Sequence, residues 1–104
     1  MQTAKSFARA HGCILVLKGH RTITATPEGN VLINTTGNSG LAKGGSGDVL
    51  TGIIASLLAQ GATAVQAAAL GVWMHGRAGD LAARRLTEYA MTPADVVETL
   101  SEVF

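Results

Sequence analysis

The sequence predicts a layered α/β fold. Three observations carry this expectation. Cys13-Ile14-Leu15-Val16-Leu17 is apolar at every position, the pattern of a strand covered on both faces. Two β-prone runs, Ile23 to Thr26 and Val31 to Asn34, flank a turn and read as a hairpin. From Asp48 onward the apolar residues recur at helical spacing.

Size and composition bound the rest. The 104 residues make one small domain. At 47% hydrophobic but only 4% aromatic, the core must be aliphatic and rich in alanine. Charged residues are 14%, below the usual quarter, which leaves surfaces suited to meeting other protein and predicts a homo-oligomer. A net charge of +1 points to neither a nucleic-acid nor a membrane partner. No apolar stretch reaches the roughly 18 residues of a membrane span. The single cysteine, Cys13, excludes an internal disulfide and suits a reducing, cytoplasmic compartment.

Residues Thr3 to Ala10 predict a short helix with Ala4, Phe7 and Ala8 on its inner face, stopped at His11-Gly12 by a glycine cap. A helix feeding straight into a buried strand is the second half of a β-α-β unit. Its first strand would lie before Met1, and Cys13–Leu17 would run parallel to a neighbour with the hairpin at the sheet edge. Lys18-Gly19-His20-Arg21-Thr22 ends that strand. Ligands of open α/β sheets sit at carboxyl ends of strands, so Lys18 and Arg21 are candidates to meet phosphate. A solvated turn is the other reading. Pro27-Glu28-Gly29-Asn30 is the hairpin turn.

Val49, Leu50, Ile53, Ile54, Leu57 and Leu58 give a helix so apolar that it should be buried over most of its surface, ended by Gly61. A second helical region, rich in alanine, runs from Ala64 to about Arg85, either broken or kept close-packed by Gly71, Gly76 and Gly79. Within it Trp73 reads as core or interface packing and His75 as a satisfied histidine rather than a ligand. A last helix opens with Thr92 as N-cap and Pro93 at its first position, and turns Val96, Val97, Leu100 and Val103 inward.

Between hairpin and helices lies the stretch Asn38 to Asp48, with four glycines, two serines and one aspartate. A glycine-dense loop emptying into a helix leaves backbone N–H groups unpaired at the positive end of the helix dipole, a seat for an anion such as phosphate. Glycine also lets the backbone approach a ligand closely. Asp48 would place one carboxylate at the mouth, able to orient or deprotonate a hydroxyl during phosphoryl transfer. Plain helix capping by Ser46 and Asp48 is the competing reading. The stretch is neither a Walker A loop, since Lys43 precedes the last three glycines, nor G-x-G-x-x-G. His11, His20 and His75 have no paired spacing and there is no C-x-x-C, so a transition-metal site is not expected. A Mg²⁺ ion arriving with a nucleotide needs few protein ligands and is not excluded.

Gly37 to Gly61, with its core G-G-S-G-D-V-L-T-G, resembles the signature of the ADP- or ATP-dependent (S)-NAD(P)H-hydrate dehydratases, members of the ribokinase-like superfamily. V-L-K-G-H-R-T (Val16 to Thr22) and A-A-A-L-G-V-W-M-H-G-R-A-G-D-L-A (Ala67 to Ala82) resemble further segments of that family. The resemblance implies the C-terminal part of a ribokinase-like layered α/β fold, a parallel strand plus edge hairpin packed by helices. Family members are longer, so residues 1–104 would form the C-terminal segment of a larger dehydratase domain and carry the nucleotide half of its site. The implied activity is repair of hydrated NADH or NADPH, with ADP or ATP as co-substrate and Mg²⁺ beside it. Matched residue by residue, Lys18, Gly19, His20, Arg21, Thr22 and Gly47 would contact the nucleotide. Gly44, Gly45, Ser46 and Gly47 would form the anion hole, and Asp48 would meet the hydrated nicotinamide and act as base. Two alternatives share these residues: a ribokinase-like kinase of a small hydroxylated vitamin precursor, and a non-catalytic nucleotide-binding module, which would have no need of Asp48.

Overall fold

The computed structural model describes residues 2–18 and 21–103. The element order is α1 (Gln2–His11), β1 (Leu15–Leu17), β2 (Ile23–Ala25), β3 (Val31–Ile33), a 3₁₀ turn (Ser39–Leu41), α2 (Ser46–Ala59), α3 (Ala64–Ala90), α4 (Pro93–Thr99) and a final 3₁₀ turn (Leu100–Glu102).

Local signals produce most of these boundaries. Ala4 and Ala8, one helical turn apart, are the buried face of α1. Gly12 ends the helix in the left-handed conformation, φ 61°. Phe7, expected inside, is 46% exposed and stacks on His11 instead, with ring centroids 4.2 Å apart. The two alanines already bring α1 against the strands, which leaves no room for a large ring between them.

The three strands form one antiparallel sheet in the order β1-β2-β3. Leu15, Ala25 and Val31 are registered across it and pack with Ala4 and Ala8 as one small core. The parallel pairing expected for Cys13–Leu17 is not made among the described residues. β1 is three residues long, its registered partner is β2, and its far edge carries no described strand. Cys13 and Ile14 precede it, half-buried.

The helices form a second layer. α2 crosses α3 where Gly71 faces Ile54, closely enough that a Cβ there would lie 2.7 Å from Ile54 Cγ1. Ala78, Ala82, Met91 and Val96 form the second core, with Leu41, Val49 and Leu100 packed on it. Thr63 and Gln66 build a capping box at the start of α3, and Thr92 and Asp95 build one for α4, with Pro93 in its first turn. α3 is interrupted at Thr87, the one non-glycine among the described residues with positive φ (φ 72°, ψ 159°).

Two expectations about burial are corrected. In α2 only Ser46 and Leu50 are fully buried, and Leu58 is 46% exposed. One side of that helix meets α3; the opposite side has no described neighbour over it. Val97 is likewise exposed, because α4 leans on α3 through Val96 and Thr99. Arg85 donates from Nη2 to Thr99 Oγ1 at 2.7 Å and so ties α3 to α4.

Candidate functional site

The segment linking β3 to α2 carries the glycines, and α3 fastens it along its length. Thr36 Oγ1 donates to the Trp73 carbonyl at 3.1 Å. Gly37 N–H and Asn38 Nδ2 donate to the two oxygens of Asp80, each at 3.0 Å, so one carboxylate holds two successive residues. Asn38 Oδ1 accepts from Gly40 N–H at 2.8 Å and starts the 3₁₀ turn. Glycines of α3 permit the close approach. A Cβ on Gly76 would collide with Thr36, and one on Gly79 would lie 2.8 Å from Leu41 Cδ2. Lys43 donates to the carbonyls of Tyr89, at 2.8 Å, and Met91, where α3 gives way to α4. A cation among carbonyls at a helix end is favourable. Lys43 is therefore a clasp rather than a ligand group.

At the end of this segment Gly45 turns left-handed, φ 96°, and α2 begins at Ser46. Ser46 N–H donates to the Lys43 carbonyl and Val49 N–H to that of Gly45, both at 3.1 Å. The N–H groups of Gly47 and Asp48 find no acceptor among the described residues. Lys18, from the end of β1, reaches the same point: a Cβ on Gly47 would lie 2.8 Å from Lys18 Nζ. An ammonium and the positive end of a helix thus converge on one spot, which favours an anion there.

Beside this spot opens a cavity of about 730 Å³, whose lining includes Lys18, Thr22, Asn38, Ser46, His75 and Glu88. His75 projects from α3 and is almost fully buried. Its Nε2 lies 3.2 Å from Ser46 Oγ. Burial pushes the His75 imidazole below its ordinary value, the Lys18 ammonium adds to the effect, and hydrogen bonding with Ser46 opposes both.

Of the residues singled out in the sequence, Lys18, Thr22 and Ser46 line the cavity and Gly47 abuts Lys18. Gly44 and Gly45 form the exposed turn before α2. Arg21 is exposed and outside the lining. Asp48 is exposed in the first turn of α2, next to the cavity-lining Ser46 but not itself part of the wall. Gly19 and His20 lie outside the described residues. Sequence reading passed over Asn38 and Asp80 as anchors, Glu88 as a wall residue and His75 as the partner of Ser46. Asp80 did leave a signal, a carboxylate one turn beyond Gly76 on a helix of alanines and glycines.

A family model described as NAD(P)H-hydrate dehydratase matches residues 1–102. The chain belongs to that family. It is 50% identical over 103 residues to the bifunctional NAD(P)H-hydrate repair enzyme Nnr of Moorella thermoacetica, covering 99% of this chain and 19% of that protein. It is 54% identical over 70 residues to the ADP-dependent (S)-NAD(P)H-hydrate dehydratase of Neisseria meningitidis serogroup B, covering 67% of this chain and 24% of that one. The ADP/ATP-dependent NAD(P)H-hydrate dehydratase of Bacillus subtilis, co-crystallised with ATP and Mg²⁺, superimposes with a TM-score of 0.93 at 33% identity, over 98% of this chain and 37% of that one. The ribokinase-like α/β architecture is shared with a superfamily protein of Enterococcus faecalis, TM-score 0.87 at 35% identity. This dehydratase-family chain thus spans about a fifth to a quarter of the curated relatives and under two-fifths of the solved ones.

Proposed function

We propose that this chain supplies the nucleotide-binding part of an ADP- or ATP-dependent (S)-NAD(P)H-hydrate dehydratase, which restores NADH and NADPH from their hydrates. The observation that carries the reading is the meeting of Lys18 Nζ with Gly47 at the start of α2, beside the 730 Å³ cavity. Phosphates of the nucleotide would lie against Lys18 and the N–H groups of Gly47 and Asp48, with Thr22, Arg21 and the turn Gly44-Gly45 around them. Gly19 and His20 would complete the nucleotide segment, as their match to the family implies.

Asp48 would take the acceptor. The added hydroxyl of the nicotinamide hydrate attacks the terminal phosphorus of the nucleotide, its proton passes to Asp48, and the shortened nucleotide leaves. The C–O bond of the resulting phosphate ester then breaks, inorganic phosphate departs with the bonding pair, and the neighbouring carbon gives up a proton to form the ring double bond. Exposure of Asp48 beside the cavity leaves it accessible to a substrate held partly by other protein surface.

Among the described residues no group of three or more His, Cys, Asp or Glu side chains is gathered for a metal. The donors fit a Mg²⁺ ion held mainly by phosphate oxygens and water, and such an ion would offset phosphate charge. The lone cysteine suits a cytoplasmic setting. Exposed Leu17, Ile33, Leu58 and Trp73 support burial against further protein, as in a homo-oligomer, which light scattering would test.

The test is recovery of NADH absorbance when the intact protein is mixed with hydrated NADH and either ADP or ATP. Asp48→Asn should lower kcat by about 10²-fold or more. A phosphorylated alcohol accumulating in place of NADH would point to a kinase instead.

A further inference from the structure

We propose that His75 is a positioning residue: its Nε2–H donates to Ser46 Oγ, which frees the Ser46 hydroxyl hydrogen to donate to a phosphoryl oxygen of the nucleotide. The inference rests on the reading of the cavity as a nucleotide site.

Ser46 is the first residue of α2 and is 3% exposed, yet it belongs to the cavity wall. Its N–H is committed to the Lys43 carbonyl. What Ser46 can still offer an anion is therefore its hydroxyl. A hydroxyl carries one hydrogen and two acceptor sites, so its use is decided by its partner. If it donated to His75, it would turn a lone pair toward the phosphates, and two acceptors would face each other. If His75 donates to it, the hydroxyl adds a third kind of donor to Lys18 and the free N–H groups. An anion in the cavity selects the second arrangement.

The surroundings hold the ring for this task. Val72, Met74 and Ala78, on the same stretch of α3, are buried as well. The adjacent Gly76 lies so close to Thr36 that a Cβ would collide with it, so α3 cannot slide along the loop. Lys18, at the same wall, disfavours a second positive charge on the imidazole and keeps one N–H on the ring.

The experiment compares ADP with adenosine as ligands of the intact protein by titration calorimetry, which isolates the part of affinity due to phosphate. Ser46→Ala and His75→Leu should each shrink the ADP-over-adenosine preference by about tenfold or more, as loss of one donor to a charged group implies. The double variant should lose little beyond either single one. His75→Gln, whose amide can place a donor near the position of Nε2, should recover most of the preference. Thermal unfolding of each variant checks folding, and His75→Gln carries the test if His75→Leu does not fold. An ADP preference unmoved by Ser46→Ala overturns the inference. So does a His75→Gln variant that is folded but as weak as His75→Leu. ADP binding that responds as described, without NADH recovery from the hydrate, would sink the dehydratase reading and leave the pairing of Ser46 and His75 standing.

Discussion

Lys18 Nζ occupies the space that a side chain on Gly47 would need, 2.8 Å from the position of its Cβ. The absence of a side chain at one residue is thus what lets a cation from another element reach the start of α2. Gly47→Ala should push the ammonium aside. Because the displaced group is the tip of a flexible side chain, folding stability should hold or rise by up to about 0.5–1 kcal/mol, since alanine is the better helix residue. ADP affinity should fall about tenfold, close to the effect of Lys18→Met. Paired melting and ADP-titration curves check both halves, and unchanged affinity would remove Lys18 from the site.

Asp80 anchors the loop through Gly37 and Asn38. Asp80→Ala leaves two donors without their acceptor and should cost about 2–3 kcal/mol. Asp80→Asn keeps one acceptor oxygen and should cost less. Urea unfolding measures the difference, and nucleotide affinity should fall in the same order because the loop is loosened in that order.

Two glycines in helices should respond with opposite sign. Gly76 has Thr36 against it, whereas a Cβ on Gly52 would have nothing within 4 Å. Gly76→Ala should destabilise by about 1–3 kcal/mol through overpacking. Gly52→Ala should stabilise by about 0.5–1 kcal/mol. Denaturant midpoints for the pair, compared with the parent, decide it.

Acid should find His75. Its folded-state pKa lies below the ordinary value of 6.5, so the unfolded chain binds the proton more readily. The stability tied to its neutral form is therefore present above about pH 6.5 and is lost as pH falls from there through the lowered folded value. His75→Gln should flatten the stability–pH curve in that window and leave the curve above pH 7 unaltered in slope. A parent and variant with parallel curves between pH 6.5 and 5 would contradict the burial of this ring.

What could be read from sequence was local. Gly12, Gly61, Thr92-Pro93 and the turn at Gly29 announce their roles within a few residues, and each boundary lies close to where those signals place it. The family resemblance was legible in the same way, in G-G-S-G-D-V-L-T-G. Burial was harder, because it depends on what lies opposite. The apolar pattern of α2 is symmetric enough to suit full burial, yet only the side toward α3 and α4 is covered. Phe7 and Val97 sit at core spacing, yet Phe7 gives way to the small Ala4 and Ala8, and Val97 lies on the side of α4 away from Val96 and Thr99. The anchors of the loop join residues far apart in the chain, Thr36 to Trp73, Gly37 to Asp80 and Lys43 to Tyr89, and no periodicity connects them. The sequence marks His75 as a satisfied histidine; its burial and its role beside Ser46 follow only from the fold.

Thr87 is a weak link in α3. A β-branched residue held at φ 72°, ψ 159° works against its own preferred geometry by about 1–3 kcal/mol. Selection of this chain for heat tolerance would find codon 87 early, and glycine there would let the joint before α4 relax.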